Sequence, residues 1–464
     1  MVPNRHLENP QIPGLDMVQM SLDEPIPSSA PSILPNDILD KSLPKVGGGQ
    51  NSLGNKNNTY LKMPSWREIG MTNVAEPDFN IGILIDDISI IDRHVSAMSK
   101  PASRCFLTSV VVLNPPLDCD DESQVKTAVR EWLEINNLDV DADDLVIGQG
   151  IEGYQEMLKQ TDIDAVYIVL SPSYQRDYIL QALSCKKHVL VNDPISTLLP
   201  EYLETLECAK QNGKFIQSST MFVHQYRVQR FMNRVLQDPN FGQITDVDAS
   251  IQLNCDDVEK VGVKLPLRKQ DGSIRVLGRF CVLVSTLFFN RLGSFAESAR
   301  VNSFKIGKHG EIVSAECHVK FTKGRQLKFY VAYIHSATRQ SIELKATSRY
   351  ATMNDFVIEH PDGLATYRVY DRIAAADGKF NVTSGDSIDV AMGMGQERVL
   401  WRNFVRLSNE LDKQGGWDDS EATSECRELT NVSIQTKKIL IALMESFEND
   451  CKEVPIHDAI DNIQ

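Results

Sequence analysis

The sequence predicts an α/β protein, with a Rossmann-like doubly wound parallel sheet followed by an α+β domain that has a mostly antiparallel sheet. Three observations favour this fold class. Residues 161–194 alternate strand, helix and strand at the spacing that two parallel strands joined by a crossover helix require. Similar strand–helix alternation continues on both sides of that segment. From residue 313 onward, apolar residues instead alternate with period two.

The N-terminal stretch, residues 1–78, is rich in Pro, Ser, Asn and Gly. Such a composition buries too little apolar surface to offset the entropy of ordering the chain, so we expect a disordered leader. Order is expected to begin at a short apolar strand near residue 80.

The charge and cysteine content argue against several classes of function. The formal net charge is −15 over 464 residues, which disfavours a nucleic-acid or anionic-membrane surface. The longest apolar run, residues 280–289, is too short to span a bilayer, so we expect a soluble protein. The nine cysteines stand singly, without the paired spacing of a zinc site. We therefore expect no metal site and a reducing compartment, the cytoplasm.

Residues 79–220 are predicted to form the first domain, because strand-length apolar runs alternate there with helical patterns. The run at 164–170 is apolar and β-branched, which is typical of a strand buried on both faces. Lys186 and Lys187 follow the next helix, where its dipole favours cations. The predicted strands are 80–85, 107–113, 145–147, 164–170, 188–191 and one beginning at 215; the predicted helices are 88–98, 125–135, 154–158, 174–183 and 198–210.

Residues 221–395 are predicted to form the second domain, whose sheet is mostly antiparallel by pattern. Apolar and polar residues alternate on both sides of a turn at Lys323-Gly324. Residues 396–464 are predicted to supply two helices, separated by a loop from Gly415 to Ser424, that pack back on the core. The predicted elements of the second domain are a helix at 226–236 and strands at 244–253, 313–321, 327–333 and 342–346.

The residue identities in segment 161–194, which contains the crossover helix, are more specific than the periodicity of that segment. It reads Asp162-Ile163-Asp164-Ala165-Val166-Tyr167-Ile168, then Pro172, Lys187-His188-Val189 and Pro194, followed by Ser219–His224 and Phe241-Gly242. This set resembles the glucose–fructose oxidoreductase / inositol dehydrogenase (Gfo/Idh/MocA) family, nearest its dihydrodiol and xylose dehydrogenase branch. The resemblance implies a Rossmann domain for NAD(P), a small-molecule ligand, and a homo-oligomer formed through the antiparallel sheet.

The turn after the first strand departs from the family pattern. A dinucleotide-binding turn is glycine-rich so that backbone N–H groups can approach the pyrophosphate. Where the family has two glycines and a small residue, this chain has Ile85, Asp87 and Ile90, while Asp86 and Asp87 add negative charge where phosphates would sit. NAD(P) is thus implied by the resemblance but opposed by Ile85, Asp86 and Asp87. The alternative role of the two aspartates is helix capping.

Three further positions lack the reactive group that the resemblance implies. The Glu-Lys-Pro motif, whose lysine lies beside the nicotinamide, reads Asn192-Asp193-Pro194 here. Gln175 stands where the family often has a histidine, and residues 277–283 offer neither the expected carboxylate nor the tyrosine. An aspartate cannot supply the positive charge that stabilises a developing alkoxide, although it could act as a base.

The candidate site residues follow from these motifs. Asp193 and His224 are the candidates for catalysis, and the alternatives are a plain loop carboxylate for Asp193 and a hydrogen bond at the domain junction for His224. Arg227, near the same junction, could contact an anionic or hydroxylated ligand or could form a hydrogen bond at the domain junction. If a dinucleotide binds, the resemblance assigns its contacts to the residues Gly82, Ser171, Pro172 and Pro194.

Two hypotheses from different classes remain. The preferred one is a redox-silent relative that keeps the two-domain scaffold and serves in ligand binding, regulation or assembly. It rests on the joint loss of the glycine turn and of the lysine. The alternative is an active NAD(P)-dependent oxidoreductase acting on a sugar, polyol or dihydrodiol, with Asp193 or His224 in proton transfer. A third option, another nucleotide or a sugar phosphate, is disfavoured because the turn is acidic.

Overall fold

In the computed structural model, the described residues are 79–86, 93–98, 105–114, 122–135, 140, 144–195, 198–220, 222–261, 269, 272–358, 364–374, 380–382, 386–391, 395–418 and 421–456. The predicted leader, residues 1–78, lies outside them. So do Asp87 and Ile90 of the turn after the first strand.

The first sheet has six parallel strands in the order β3-β2-β1-β4-β5-β6, the doubly wound arrangement. β1 lies at its centre, with Ile83 beside Val110 of β2 and Tyr167 of β4. Every residue of β4 and β5 is buried, as the apolar runs predict for strands covered on both faces. The strands are β1 Phe79–Ile85, β2 Cys105–Val112, β3 Val146–Gln149, β4 Ala165–Val169, β5 His188–Val191 and β6 Ile216–Ser218.

Helices cover both faces of this sheet. α1 and α2 pack on one face, together with a helix from the C-terminal part of the chain, whereas α3, α4 and α5 pack on the other. The first-domain helices are α1 Arg93–Met98, α2 Glu122–Ile135, α3 Gly150–Lys159, α4 Gln175–Ser184 and α5 Leu199–Gln211. The predicted helix at 88–98 is thus described only from Arg93 onward.

The second sheet is mostly antiparallel. Its path is β14-β13-β12-β11-β7-β10-β9-β8-β16, with β15 pairing with β13, and only β7 and β10 run parallel among the described strands. The strands are β7 Ile244–Asn254, β8 Ala296–Ile306, β9 Ile312–Phe321, β10 Arg325–Ile334, β11 Arg339–Ala346, β12 Arg349–Asn354, β13 Leu364–Ala374, β14 Phe380–Val382, β15 Asp386–Ala391 and β16 Val454–Pro455.

Four helices pack around this second sheet or connect it to the first. α6 Tyr226–Gln237 and α7 Arg279–Arg291 share one apolar core with the sheet, and a π-helical turn, Ile274–Gly278, leads into α7. α8 Gln396–Gln414 returns to the first sheet, where the ring of Phe404 meets those of Phe79 and Phe215. α9 Glu421–Glu448 adds residues to the cores of both sheets.

The predicted fold class is confirmed by this architecture. One prediction about local structure needs correction. α9 begins at Glu421, inside the predicted 415–424 loop. The apolar run at 280–289, for which no secondary structure was predicted, is the body of α7. Within the described part of the chain, no helix is long and apolar enough to cross a membrane.

Candidate functional site

The carboxyl ends of the parallel strands form the edge where ligands bind in doubly wound folds. β5 ends at Val191 and is followed by Asp193 and Pro194, which are joined by a cis peptide bond. β6 ends beside it, where the Ser219 N–H donates to the Val191 carbonyl at 2.8 Å. The ends of β5 and β6 therefore present Asp193, Ser218 and Thr220 together.

The carboxylate of Asp193 has defined partners. The Ser218 hydroxyl donates to Oδ1 at 2.7 Å, and Arg279 Nε of α7 lies 3.4 Å from Oδ2. The Asp193 backbone N–H also faces Ser219 Oγ at 3.3 Å. Asp193 is thus an oriented carboxylate beside a guanidinium.

A cavity of about 490 Å³ opens beside Asp193 and lies between the β5–α5 connection, α7 and α9. This volume lies in the range of small-molecule sites, about 300 to 1,000 Å³. Asp193, Ser218 and Thr220 line its sheet side, together with Tyr202 of α5. Its remaining lining residues are Pro194, Ile195, Leu198, Leu199, Pro200, Arg275, Arg279, Phe280, Leu283, Ser433, Thr436, Lys437, Leu440, Ile441, Met444, Glu445 and Glu448.

Lys437 of α9 is the second cation near Asp193. Burial lowers the pKa of Lys437 to about 8, an effect that neighbouring Asp193 opposes and Arg279 reinforces. Its Nζ lies 5.2 Å from the centre of the Tyr202 ring, within the range of a cation–π contact. Burial raises the pKa of Tyr202 to about 12, although a hydrogen bond with Ser433 works against this. At neutral pH the wall therefore presents an ammonium group over a neutral phenol.

His224 lies deeper, in the short 3₁₀ turn Phe222–His224. Asn403 Nδ2 donates to its Nδ1 at 3.1 Å, and the side-chain amide of Gln217 lies 2.8 Å from its Nε2. Burial, and then the charge of Arg406, lower the pKa of His224 to about 3, so the ring is neutral at physiological pH. It lines a separate hole of about 30 Å³ that shares Tyr202 and Ser218 with the larger cavity. These contacts favour the junction role over acid–base chemistry.

The four residues assigned to a dinucleotide stand on neighbouring parts of the first sheet, in β1 and in the segments that follow β4 and β5. Pro194 lines the cavity, whereas Gly82, Ser171 and Pro172 are absent from its lining as the structure describes it. Gly82 lies within β1, where an added Cβ would come 2.6 Å from Met157 Sδ of α3. Ser171 and Pro172 follow β4 in a loop, with Ser171 Oγ 3.3 Å from the hydroxyl of Ser173. Gly82 thus has a packing reason for being a glycine.

Three further residues make structural contacts. Asn114, at the end of β2, donates through Nδ2 to Asp86 Oδ1 at 2.5 Å. The buried Gln175 donates to the backbone carbonyls of Leu170 at 2.9 Å and Asn192 at 3.1 Å, and so ties the ends of β4 and β5 together.

Arg227 donates from Nη2 to the backbone carbonyl of Asp355, which fits the junction role. Among the side chains that the structure describes, no three His, Cys, Asp or Glu residues gather as a metal ion would require.

Sequence reasoning missed the cationic wall formed by Arg279 and Lys437. Arg279 begins the mostly apolar α7, and Lys437 lies on α9, more than two hundred positions from Asp193 in the chain. A signal was nevertheless present in α9. Its cavity-lining positions 433, 436, 437, 440, 441, 444, 445 and 448 follow one helical stripe that mixes polar and apolar residues.

Residues 119–220 match an oxidoreductase family with an NAD-binding Rossmann fold, GFO_IDH_MocA. Among curated proteins, the chain is 30% identical over 106 residues to dTDP-3,4-didehydro-2,6-dideoxy-alpha-D-glucose 3-reductase of Actinomadura kijaniata, covering 23% of this chain and 32% of that enzyme. It is 23% identical over 194 residues to trans-1,2-dihydrobenzene-1,2-diol dehydrogenase of Xenopus tropicalis, covering 42% of this chain and 56% of that enzyme. The chain thus matches about a third of the first relative's length and just over half of the second's.

Solved structures share the fold over a longer span. A 3-ketoreductase from Actinomadura kijaniata, in complex with TDP-benzene and NADP, matches with a TM-score of 0.57 at 16% identity, covering 79% of this chain and 97% of that one. An oxidoreductase from Pseudomonas syringae matches with a TM-score of 0.60 at 12% identity, covering 82% and 99%. At these identities the likeness shows the fold alone.

The predicted resemblance is confirmed, and a dihydrodiol dehydrogenase is among the relatives together with sugar ketoreductases. By the family match over residues 119–220, the relatives and the shared two-sheet fold, this chain is similar to the Gfo/Idh/MocA oxidoreductase family.

Proposed function

We propose that this protein is a redox-silent member of the family that binds a small molecule in the cavity beside Asp193. The observation that carries the proposal is the side chain at position 193 and its contacts. Where the resemblance expects a lysine, the chain has a carboxylate that accepts from Ser218 and lies against Arg279.

The chemistry of carbonyl reduction explains why this matters. Hydride transfer creates an alkoxide, which a catalyst stabilises with a positive charge or a proton donor at the reacting oxygen. An ionised Asp193 offers neither, and it would repel the developing negative charge. The loss therefore acts on the transition state as well as on substrate binding.

The described end of β1 supports the same proposal. The diphosphate of a dinucleotide needs N–H donors at the turn after this strand. The last described residue there is Asp86, whose carboxylate is held by Asn114 at the end of β2. A carboxylate at this place opposes a diphosphate by like-charge repulsion, on the order of a kcal/mol in a partly desolvated site. The residues present thus fit NAD(P) poorly, and no catalytic step is assigned through it.

Titration of the purified full-length protein with NADH and NADPH, followed by nicotinamide fluorescence, tests the proposal. We expect no saturable binding below about 1 mM. The 3-ketoreductase from Actinomadura kijaniata, solved with NADP, serves as the positive control. Saturable binding together with oxidation of NADPH by a sugar, polyol or dihydrodiol would overturn redox silence.

The cationic wall supports a second candidate, an active NAD(P)-dependent oxidoreductase. Lys437 faces the same cavity as Asp193, and a pKa of about 8 would let its ammonium donate a proton near neutral pH. The relatives from Actinomadura and Xenopus are themselves a reductase and a dehydrogenase.

A screen of sugars, polyols and dihydrodiols with both coenzymes separates the two candidates. If turnover is found, Lys437→Met should abolish it, whereas Asp193→Ala should preserve it if Lys437 is the proton donor. The reverse pattern would return the role to Asp193.

A further inference from the structure

The side chains that α9 contributes to the cavity beside Asp193 change in character along the helix. Thr436 and Lys437 lie at its inner end, Leu440 and Met444 follow one and two turns later, and Glu448 is exposed at the mouth. A helix presents residues three and four apart on one face, so these side chains form a continuous strip from polar to apolar to acidic.

The inner end holds two buried donors that the described residues leave unused. Thr436 is 6% exposed, and its hydroxyl has no hydrogen-bond partner among the described residues. Nε of Arg279 is likewise buried without a hydrogen bond there, although it lies 3.4 Å from the Asp193 carboxylate. A buried donor without an acceptor is unfavourable, so this end of the cavity suits a ligand that brings acceptor oxygens.

The charges at the inner end specify the kind of acceptor. Arg279 and Lys437 are two cations, and the carboxylate of Asp193 lies near both, while Glu201 also acts on Lys437. One lone pair of the Asp193 carboxylate is already taken by the Ser218 hydroxyl. Guanidinium and ammonium groups each carry several N–H donors, and a planar carboxylate offers two oxygens to them and to the hydroxyl donor.

The rest of the wall is mostly apolar, which disfavours a polyhydroxylated ligand. Ile195, Leu199 and Phe280 face Leu440 and Met444 of α9 across the cavity. Near the mouth, Leu198 is 55% exposed and Ile441 is 37% exposed. Apolar side chains left in water at the mouth of a cavity gain from contact with an apolar group.

We infer that the natural ligand is an amphipathic monocarboxylate, whose head group binds Arg279, Thr436 and Lys437 and whose apolar tail lies along α9 toward Leu198 and Ile441. This inference rests on the proposed function, because it names the class of molecule that the redox-silent site takes. A free sugar or a dihydrodiol carries neither such a tail nor a charge, and a dTDP-linked sugar carries its charge on a diphosphate rather than on a carboxylate.

Isothermal titration of the full-length protein with decanoate, kept below its micelle concentration, tests the inference. Decan-1-ol and decylamine carry the same tail with a neutral and a cationic head, and acetate carries the head without the tail. We expect saturable, one-to-one binding of decanoate, at least about tenfold weaker binding of the alcohol, and no measurable binding of decylamine or acetate.

Substitutions at both ends of the strip assign the site. Lys437→Met keeps the length and apolar stem of the side chain and should weaken decanoate binding at least about tenfold. Thr436→Val keeps the shape and should weaken it about fivefold, while Leu440→Asn should weaken it through the tail alone. Lys308→Met, at an exposed lysine outside the cavity lining, is the matched control and should leave binding unchanged. Circular dichroism confirms that each variant is folded.

The outcomes separate this inference from the proposed function. If neither NADPH nor decanoate binds, the ligand class is wrong while redox silence stands. If the protein turns over NADPH with a sugar and also binds decanoate, redox silence is wrong while the carboxylate site stands. Equal binding of decanoate and decan-1-ol, or decanoate binding that Lys437→Met and Thr436→Val leave unchanged, would overturn the inference.

Discussion

Replacing Lys437 by methionine should stabilise the ligand-free protein while it removes ligand binding. The ammonium group lies inside the cavity wall, where burial lowers the pKa of Lys437 from an ordinary 10.5 to about 8. At 1.36 kcal/mol per pH unit, the folded protein disfavours the charged side chain by about 3 kcal/mol at neutral pH. Methionine fills similar space without a charge, so we expect Lys437→Met to raise the free energy of unfolding at pH 7 by about 1 to 3 kcal/mol.

The gain in stability should change with pH in a direction that follows from the lowered pKa. Because the pKa is lower in the folded state, the unfolded chain binds more protons between pH 8 and pH 10.5. The stability contribution of Lys437 therefore rises with pH across that window, and the advantage of the variant shrinks. The charged or titratable neighbours are Asp193, Arg279, Glu201 and Tyr202, and since all four are present in both proteins, the difference between the proteins isolates Lys437.

Urea unfolding of both proteins at several pH values from 7 to 10, followed by circular dichroism, measures this difference. The chemically matched control is Lys308→Met at an exposed site, for which we expect a change within about 0.5 kcal/mol and no pH trend. A Lys437→Met variant that is less stable than the parent, or a difference that stays flat with pH, would refute the argument that this cation is held in the wall at a cost in stability.

Two further predictions concern the first sheet. Burial acts to raise the pKa of Asp412, but hydrogen bonds from His188 at 3.0 Å and Lys214 at 2.6 Å outweigh it and lower that pKa to about 2. The stability that this carboxylate adds above pH 4 should therefore be lost as the pH falls toward 2. In Asp412→Asn that acid-dependent loss of stability should shrink by about 1 kcal/mol, a figure discounted because the Asp412 side chain is partly exposed. The measurement is the free energy of unfolding of both proteins as a function of acid pH, and parallel curves would contradict the prediction. Gly82→Ala should destabilise the fold by about 1 to 2 kcal/mol, because the new Cβ would lie 2.6 Å from Met157 Sδ. In the double variant Gly82→Ala, Met157→Ala the overlap is gone, so urea melts should show little further loss from the alanine at position 82.

The first sheet could be predicted almost strand by strand because its signals are local. Fully buried parallel strands appear as short apolar runs, and β4 and β5 differ from the predicted bounds by at most one residue at each end. The predicted helix at 198–210 is α5, and Gly213 adopts φ of 64° shortly after its end, as glycine commonly does there. Of the described strands of the second sheet, only four were predicted, β7, β9, β10 and β11, since β8 and β12–β15 carry weaker alternation.

The candidate site could be predicted only where it lies on one continuous motif. Asp193 was identified because Asn192-Asp193-Pro194 stands at a recognisable place after a strand. Arg279 and Lys437 reach the same cavity from α7 and α9, and no local pattern tells that an apolar helix will turn one cation toward a distant strand end. His224 was identified from the motif, but its burial against Asn403 depends on α8, which arrives far later in the chain.

The positive charge of the family's motif has been redistributed in this chain. The resemblance places a lysine at position 193, next to the reacting group, whereas here the same position carries a carboxylate and the two cations come from other helices, Arg279 from α7 at 3.4 Å from that carboxylate and Lys437 from α9. The cavity can therefore still attract an anion, but at the strand end, where a nicotinamide would present its hydride, a carboxylate stands and pairs with the nearer cation. A site that keeps anion recognition and loses the placement of its proton donor is suited to holding a ligand rather than reducing it. The titrations with NADPH and with decanoate measure these two properties separately, and we expect NADPH not to bind and decanoate to bind in the same protein.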